Sequence, residues 1–276
     1  MFFLEIYKMF TRPFALIALT VVFVLILLFG FSFAFQGEEF FQSLTAVFGK
    51  GVEFEGDLVN GNLFAYQFLQ STWYFIPLLV VFVTGGMISE EKSQGTLKMI
   101  LSRPVSRTGF LSAKFGAAAV YILILIVLIA LFTLGAGLLF FGNGELLAFD
   151  DGKFTLISAN RALLSFAIAY GYYFLVLFSV ASLSLLFSVL FTDSVKSIMV
   201  TASIILALYF ISNLNIPFFE SVRPFLFTSY FSSWSKVFTI GVSWMNFSFD
   251  IILLVVHILV FYGLAMMFFG KKEILD

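Results

Sequence analysis

Residues 14–35 read FALIALTVVFVLILLFGFSFAF, twenty-two positions without a charge. A bilayer core about 30 Å thick is crossed by roughly 20 helical residues, so this stretch is long enough to span it. Five more stretches qualify or nearly do: Leu69–Ile88, Phe115–Phe141, Ala162–Phe191, Ile198–Asn213, which is short, and Ile251–Phe269. Every Lys, Arg, Asp and Glu lies outside the six, as expected when a mid-bilayer charge costs some 2.5–3.5 kcal/mol or more. The strands of a barrel would alternate polar and apolar residues, and these runs do not. The pattern predicts an all-α integral membrane protein with six transmembrane helices in a single domain, residues 1–276.

The bulk composition agrees. Of 276 residues, 61% are hydrophobic and 11% charged, and mean hydropathy is +1.08; soluble domains carry about 25% charged residues. The 41 phenylalanines argue against disorder, and their abundance in spans and loops alike reads as lipid-facing filler. There is no cysteine and one histidine, which excludes disulfides, thiol catalysis and a multi-histidine metal site. A net charge of −1 offers no basic field for nucleic acid.

Six spans place both termini on one side. Lys8, Arg12, Lys92, Lys98, Arg103, Arg107, Lys114, Lys196, Lys271 and Lys272 fall on that side, against Lys50, Lys153, Arg161, Arg223 and Lys236 on the other. Basic residues accumulate in cytoplasmic loops, so both termini are expected in the cytoplasm, with the chain in the cell (inner) membrane. Before the first span, Phe2, Phe3, Ile6, Met9 and Phe10 recur at helical spacing while Glu5, Lys8 and Arg12 share another face. That predicts an interfacial helix over residues 1–13, apolar side toward lipid and charges toward water.

Between spans, residues 36–68 form an acidic segment expected to be an irregular external loop with short helical pieces. Pro77 should kink the second span. Spans four and five are joined by Thr192–Ser197 alone, a tight hairpin, and Ser179, Ser182, Ser184 and Ser188 let neighbouring helices approach closely. Residues 214–248 are too apolar for an exposed loop and too broken by Pro217 and Pro224 for a span. They predict a re-entrant outer segment of short helices.

The stretch after span two is the informative one. Ser89 can cap a turn, Glu90 and Glu91 favour its positive end, and Gly95 breaks it. Leu97, Ile100 and Leu101 then form one apolar face of a short helix from Thr96, stopped at Arg103-Pro104. The run from Gly86 to Arg107 resembles the loop after span two of type 2 ABC-transporter permeases. The resemblance is carried by Glu90 or Glu91, Gly95-Thr96-Leu97, Leu101-Ser102, Pro104 and Arg107, and the six-span layout extends it to the whole chain. It implies a permease subunit of an ATP-driven exporter that pairs with a second copy or a homologue. Glu90, Glu91, Gly95, Thr96, Leu97, Leu101, Arg103, Pro104 and Arg107 would then form a coupling helix and loop meeting one of two cytoplasmic ATPase subunits. Spans two and five would line the pathway, with Tyr66, Phe75, Tyr209 and Phe210 as candidates. ATP and Mg would sit on the partner, and this chain would bind no cofactor and no metal.

The residues agree on one point independently. No G-x-x-x-x-G-K-[ST] occurs: the Gly-Lys pairs ending at Lys50, Lys153 and Lys271 lack the upstream Gly and the following Ser or Thr. The chain is therefore expected not to be an enzyme itself. A lipid-acting membrane enzyme would need paired carboxylates, a Ser/His dyad or metal ligands. An ion-coupled transporter would show internal repeats and polar residues at midplane. Neither pattern is present. His257, inside span six, has no span carboxylate to pair with and reads as a hydrogen-bonded packing residue rather than a proton relay.

Overall fold

The computed structural model describes residues 1–45, 58–102, 106–150, 153–214, 216–239 and 241–271. Helix α1 (Phe2–Thr11) breaks at Arg12, where the backbone is extended, and α2 (Pro13–Thr45) begins on a proline. Proline suits a first helical position because its missing N–H has no partner there anyway. Helix α2 continues ten residues past Phe35, so the first part of the expected external loop is helical. Residues 46–57 of that loop lie outside the described residues, and from Gly61 the chain is helical again.

Where the second span is expected, helix begins at Gly61 rather than Leu69, as α3 (Gly61–Thr72), and resumes as α4 (Phe75–Thr84) after a 61° bend. Pro77 is the physical cause, but the break lies upstream of it. A proline ring collides with the carbonyl four residues earlier, here Trp73, so the helix cannot run through Trp73–Tyr74. The Tyr173 hydroxyl donates to the Trp73 carbonyl at 3.3 Å. Asn60 caps α3 through its side chain, which accepts from the Asn62 and Leu63 amides.

Then come α5 (Ser89–Ser93), α6 (Thr96–Leu101) and α7 (Arg107–Ala130). A π turn at Leu131–Gly135 links α7 to α8 (Ala136–Phe141). An antiparallel hairpin follows, β1 (Leu146–Asp150) paired with β2 (Lys153–Ile157) in the register Leu146↔Ile157. The hairpin adds two short strands to a fold that is otherwise helical, as expected. Helices α9 (Ala159–Leu190) and α10 (Ser194–Asn213) form the expected tight hairpin. Residues 214–248 hold a chain of short pieces, α11 (Pro217–Glu220), then 3-10 turns at Arg223–Phe225 and Phe227–Phe238. The last turns bury Phe227, Phe231, Trp234 and Phe238. Helix α12 (Trp244–Lys271) closes the fold.

Among the described residues, five helices are long and apolar enough to cross a membrane, and the bent α3–α4 pair makes a sixth if counted as one span. Helix α9 is the hub: 72% of its apolar window is buried, against 17% for α12. It packs on α4, α7, α10, α12 and the 227–238 turns, and all four of its expected packing serines are buried. At the hairpin end of the bundle, α3 and α8 touch backbone to backbone. A Cβ on Gly61 would lie 2.4 Å from the Gly137 carbonyl carbon, so only glycine fits. The Gly61 amide donates to the Gly142 carbonyl at 3.0 Å, and Asn60 and Asn62 donate to the carbonyls of Glu145 and Gly144.

Candidate functional site

The loop between α4 and α7 is built into the opposite end of the bundle by three sets of polar contacts. The first is a buried charge cluster. Lys114, on the first turns of α7 and 1% exposed, places its ammonium 2.6 Å from both Glu5 of α1 and Glu91 of α5. Its Nζ also lies 5.3 Å from the centre of the Phe110 ring. Lys8, half exposed, reaches the same carboxylates at 3.3 and 3.5 Å. Two carboxylates thus share one buried and one outer cation. A buried ion pair survives only when its desolvation is offset by close geometry and further hydrogen bonds, and this cluster falls short at one atom. Among the described residues, Glu91 Oε2 has no hydrogen-bond partner.

The second set ties α1 to the loop from its other end. Arg12 meets Glu90 at 3.4 Å and the Met87 carbonyl at 3.5 Å. The third fixes the loop to the α9–α10 turn. The Ser188 hydroxyl accepts from the Ile88 and Ser89 amides, each at 2.9 Å. These are orphan donors at the start of α5. Reciprocally, the Lys92 ammonium donates to the carbonyls of Ser188, Val189 and Phe191, the unpaired acceptors at the C-terminus of α9, where a cation also suits the helix dipole.

From this mount α6 projects. Gly95 has φ +70°, a left-handed turn with no atom near a notional Cβ, and it redirects the chain between α5 and α6. Thr96 donates its hydroxyl to the Glu91 carbonyl at 3.2 Å. Leu97 is buried, while Lys98 and Met99 are exposed, Met99 by 66%. A cleft of about 560 Å³ separates α6 from α1, walled by Met1, Leu4, Met99 and Ile100, with Glu5 and Lys8 among its lining.

The expected coupling residues therefore divide. Glu90 is partly exposed at the surface and Gly95 and Thr96 shape the turn, but Glu91 and Leu97 face inward and offer no surface to a partner. Arg107 begins α7 and donates to the carbonyls of Phe269 and Gly270, at 3.5 and 2.9 Å, joining the end of α12 to α7. Leu101 closes α6. Arg103 and Pro104 lie outside the described residues.

Helix α1 also corrects its expected orientation. Phe3, Leu4 and Tyr7 are exposed, whereas Glu5 and Met9 are buried. Of the charged face, Glu5 turns into the protein while Lys8 stays half exposed. Sequence reading passed over Glu5, Lys8 and Lys114 as site residues; the available signal was Lys114 itself, a charge two turns inside an otherwise apolar helix that Arg107 begins.

The aromatic candidates divide too. Tyr66 is structural: buried, it packs on Trp234 and Phe238, and its hydroxyl donates to the Phe149 carbonyl at 2.7 Å. Phe75 and Phe210 are exposed beside the α3–α4 break and on α10. Tyr209 packs against Trp73 and stacks on Tyr74. His257 has its ring nitrogens 2.7 Å from the Leu253 carbonyl and 3.1 Å from the Phe225 carbonyl. Asp250, two turns earlier, is held by Lys236 at 2.5 Å. Outside the spans, burial and then the Asp250 carboxylate raise the Tyr230 phenol above its usual range, keeping it a neutral donor to the Pro224 carbonyl at 2.7 Å.

The fold and this loop-end mount define a multi-pass helical membrane protein whose conspicuous polar construction lies at one end. Over residues 40–275 the chain matches the family described as "Protein of unknown function (DUF2705)", and it belongs to that family. No curated protein matches it.

Proposed function

We propose that the chain is a transmembrane permease subunit of an ATP-driven exporter. It works as a pair and is coupled through α6 to separate ATPase subunits that carry ATP and Mg. In this reading α3–α4 is one bent span, giving six. Both termini and the α5–α6 loop face the cytoplasm, and the membrane is the cell membrane. Phe75, Tyr209 and Phe210 stay pathway candidates, and Tyr66 leaves the set.

The observation that supports it is the mount. Helix α6 displays Lys98 and Met99 outward while α5, behind it, is bonded to α1, α7 and the α9–α10 turn. A partner that moved α6 would therefore act on three separate parts of the bundle at once. A loop serving only to join two spans needs no such anchoring.

The test is purification of the tagged chain with whatever ATPase accompanies it, followed by reconstitution. Hydrolysis is expected to change when the permease is present, and Met99→Asp, at an exposed position, is expected to abolish both association and that change without altering the fold. ATP hydrolysis indifferent to the presence of this chain would sink the proposal.

A further inference from the structure

The segment from Phe227 to Phe238 winds as a 3-10 helix through 12 residues, whereas such runs seldom pass three or four. Both ends carry the matching bonds. The Ser229 amide donates to the Leu226 carbonyl and the Thr239 amide to the Lys236 carbonyl, each three residues back. The packing keeps the same period. Phe227 and Lys236, about three 3-10 turns apart, both face α12: Phe227 packs on His257 and Phe261, and Lys236 holds Asp250. Phe231 and Trp234, one turn apart, both face the α3 side, against Trp73 and Tyr66. The sequence has a different period. Phe227, Phe231, Trp234 and Phe238 stand at i, i+4, i+7 and i+11, and Ser229, Ser232, Ser233 and Lys236 at i, i+3, i+4 and i+7. At the α-helical turn of about 100° per residue, the four aromatics gather within about 60° and the four polar residues centre on the opposite side. At about 120° per residue both sets scatter, and Ser233 is buried.

We infer that residues 227–238 are a two-state winding element, 3-10 in this state and α-helical in a second state of the molecule. The segment lies between α10 and α12 in the chain, so its length sets how those two helices are joined. Twelve residues rise about 24 Å as a 3-10 helix and about 18 Å as an α-helix. Conversion therefore draws the ends of the segment together by about 6 Å. The Lys236–Asp250 ion pair is the lock. With Phe227 kept against α12, an α winding turns Lys236 about 180° away from that helix, so the pair belongs to the 3-10 form alone. An equilibrium shifts only through interactions that differ between its two states. Here the 3-10 form holds the ion pair, while the α form has the better backbone hydrogen bonds and a single apolar face. None of this depends on what the chain transports or on its coupling to an ATPase.

The test uses the full chain, which has no cysteine of its own, in nanodiscs. Nitroxides on Phe225→Cys and Thr239→Cys flank the segment, and their separation is read by double electron–electron resonance. The native background is expected to give chiefly the longer distance. Asp250→Asn keeps the size of the side chain and removes the lock, and is expected to add a population about 6 Å shorter. Thiol labelling separates rewinding from unravelling. Ser233 and Ser235 are both buried, 4% and 5% exposed. An α winding swings Ser233 to the polar side and leaves Ser235 about 80° from Phe227, beside the aromatics. In the Asp250→Asn background, Ser233→Cys is therefore expected to react with maleimide and Ser235→Cys to stay protected, with elution and helix content unchanged. A single unshifted distance in Asp250→Asn overturns the inference. So does a shortened distance with both thiols labelled, which is local unfolding, or with neither labelled.

Discussion

Replacing Lys114 by methionine keeps the length of the side chain and removes its charge. In the native fold the ammonium is 1% exposed and lies 2.6 Å from both Glu5 and Glu91, so the variant leaves two carboxylates buried with Lys8 alone to serve them. Breaking a buried pair by deleting one partner costs about 3–5 kcal/mol, because the survivors are left uncompensated. At roughly 2–4 °C per kcal/mol for a chain of this size, the midpoint of thermal unfolding in detergent should fall by about 10 °C. Lys8→Met is the internal control. Its ammonium is 44% exposed and its contacts are longer, 3.3 and 3.5 Å, which places it nearer the exposed-pair range of at most about 1 kcal/mol. Neutralising the whole set, with Glu5→Gln and Glu91→Gln added to Lys114→Met, should recover most of the loss, since neutral groups carry a far smaller desolvation cost. A local probe completes the assay: Met9, buried beneath α1, is changed to cysteine in the cysteine-free chain and treated with maleimide. It should be protected in the native background and labelled in Lys114→Met, where α1 detaches. Equal midpoints for Lys114→Met and Lys8→Met, with Met9→Cys protected in both, would refute the electrostatic account of the mount.

Other outcomes follow from single contacts. Ser188→Ala removes the acceptor of two buried amides; at about 1–3 kcal/mol for each unsatisfied group, hydrogen exchange at Ile88 and Ser89 should accelerate markedly. Lys92→Met should loosen the end of α9 by about 1.5–3 kcal/mol, the range for hydrogen bonds to a charged group, seen as faster exchange across residues 188–191. Gly61→Ala drives a methyl into the Gly137 backbone and should cost about 1–3 kcal/mol or more, measured as a lower unfolding midpoint. Pro77→Ala should restore helical continuity through Trp73 and reduce the 61° bend, read from distances between spin labels on α3 and α4.

The spans were legible because an uncharged apolar run of bilayer length is rarely tolerated outside a membrane, and the α5–Gly95–α6 sequence was legible because a left-handed glycine acts locally; Ser89, expected to cap α5, instead lies inside it and donates to the Gly85 carbonyl. The hairpin was missed although Asp151-Gly152 stands between two apolar runs, a strong turn signal; membrane-scale hydropathy drew the reading elsewhere. The break near Pro77 was expected, but its position depends on which carbonyl the ring strikes. Helix α1 failed for a deeper reason. Sorting residues into apolar and polar faces assumes that charges turn outward, whereas here protein takes Glu5 because the Lys114 ammonium waits there, and Phe3 and Tyr7 stay exposed. Nothing within residues 1–13 encodes a partner more than a hundred positions away.

Helix α9 is one unbroken rod of 32 residues, about 48 Å long, and it is gripped near both tips. At one tip Lys92 and Ser188 fasten it to the loop before α6. Toward the other, Ser165 donates to the Val237 carbonyl and Tyr172 to the Tyr230 carbonyl, holding the 227–238 turns. Because the rod is unbroken, a tilt of about 10° around its middle would carry each tip about 4 Å in opposite senses.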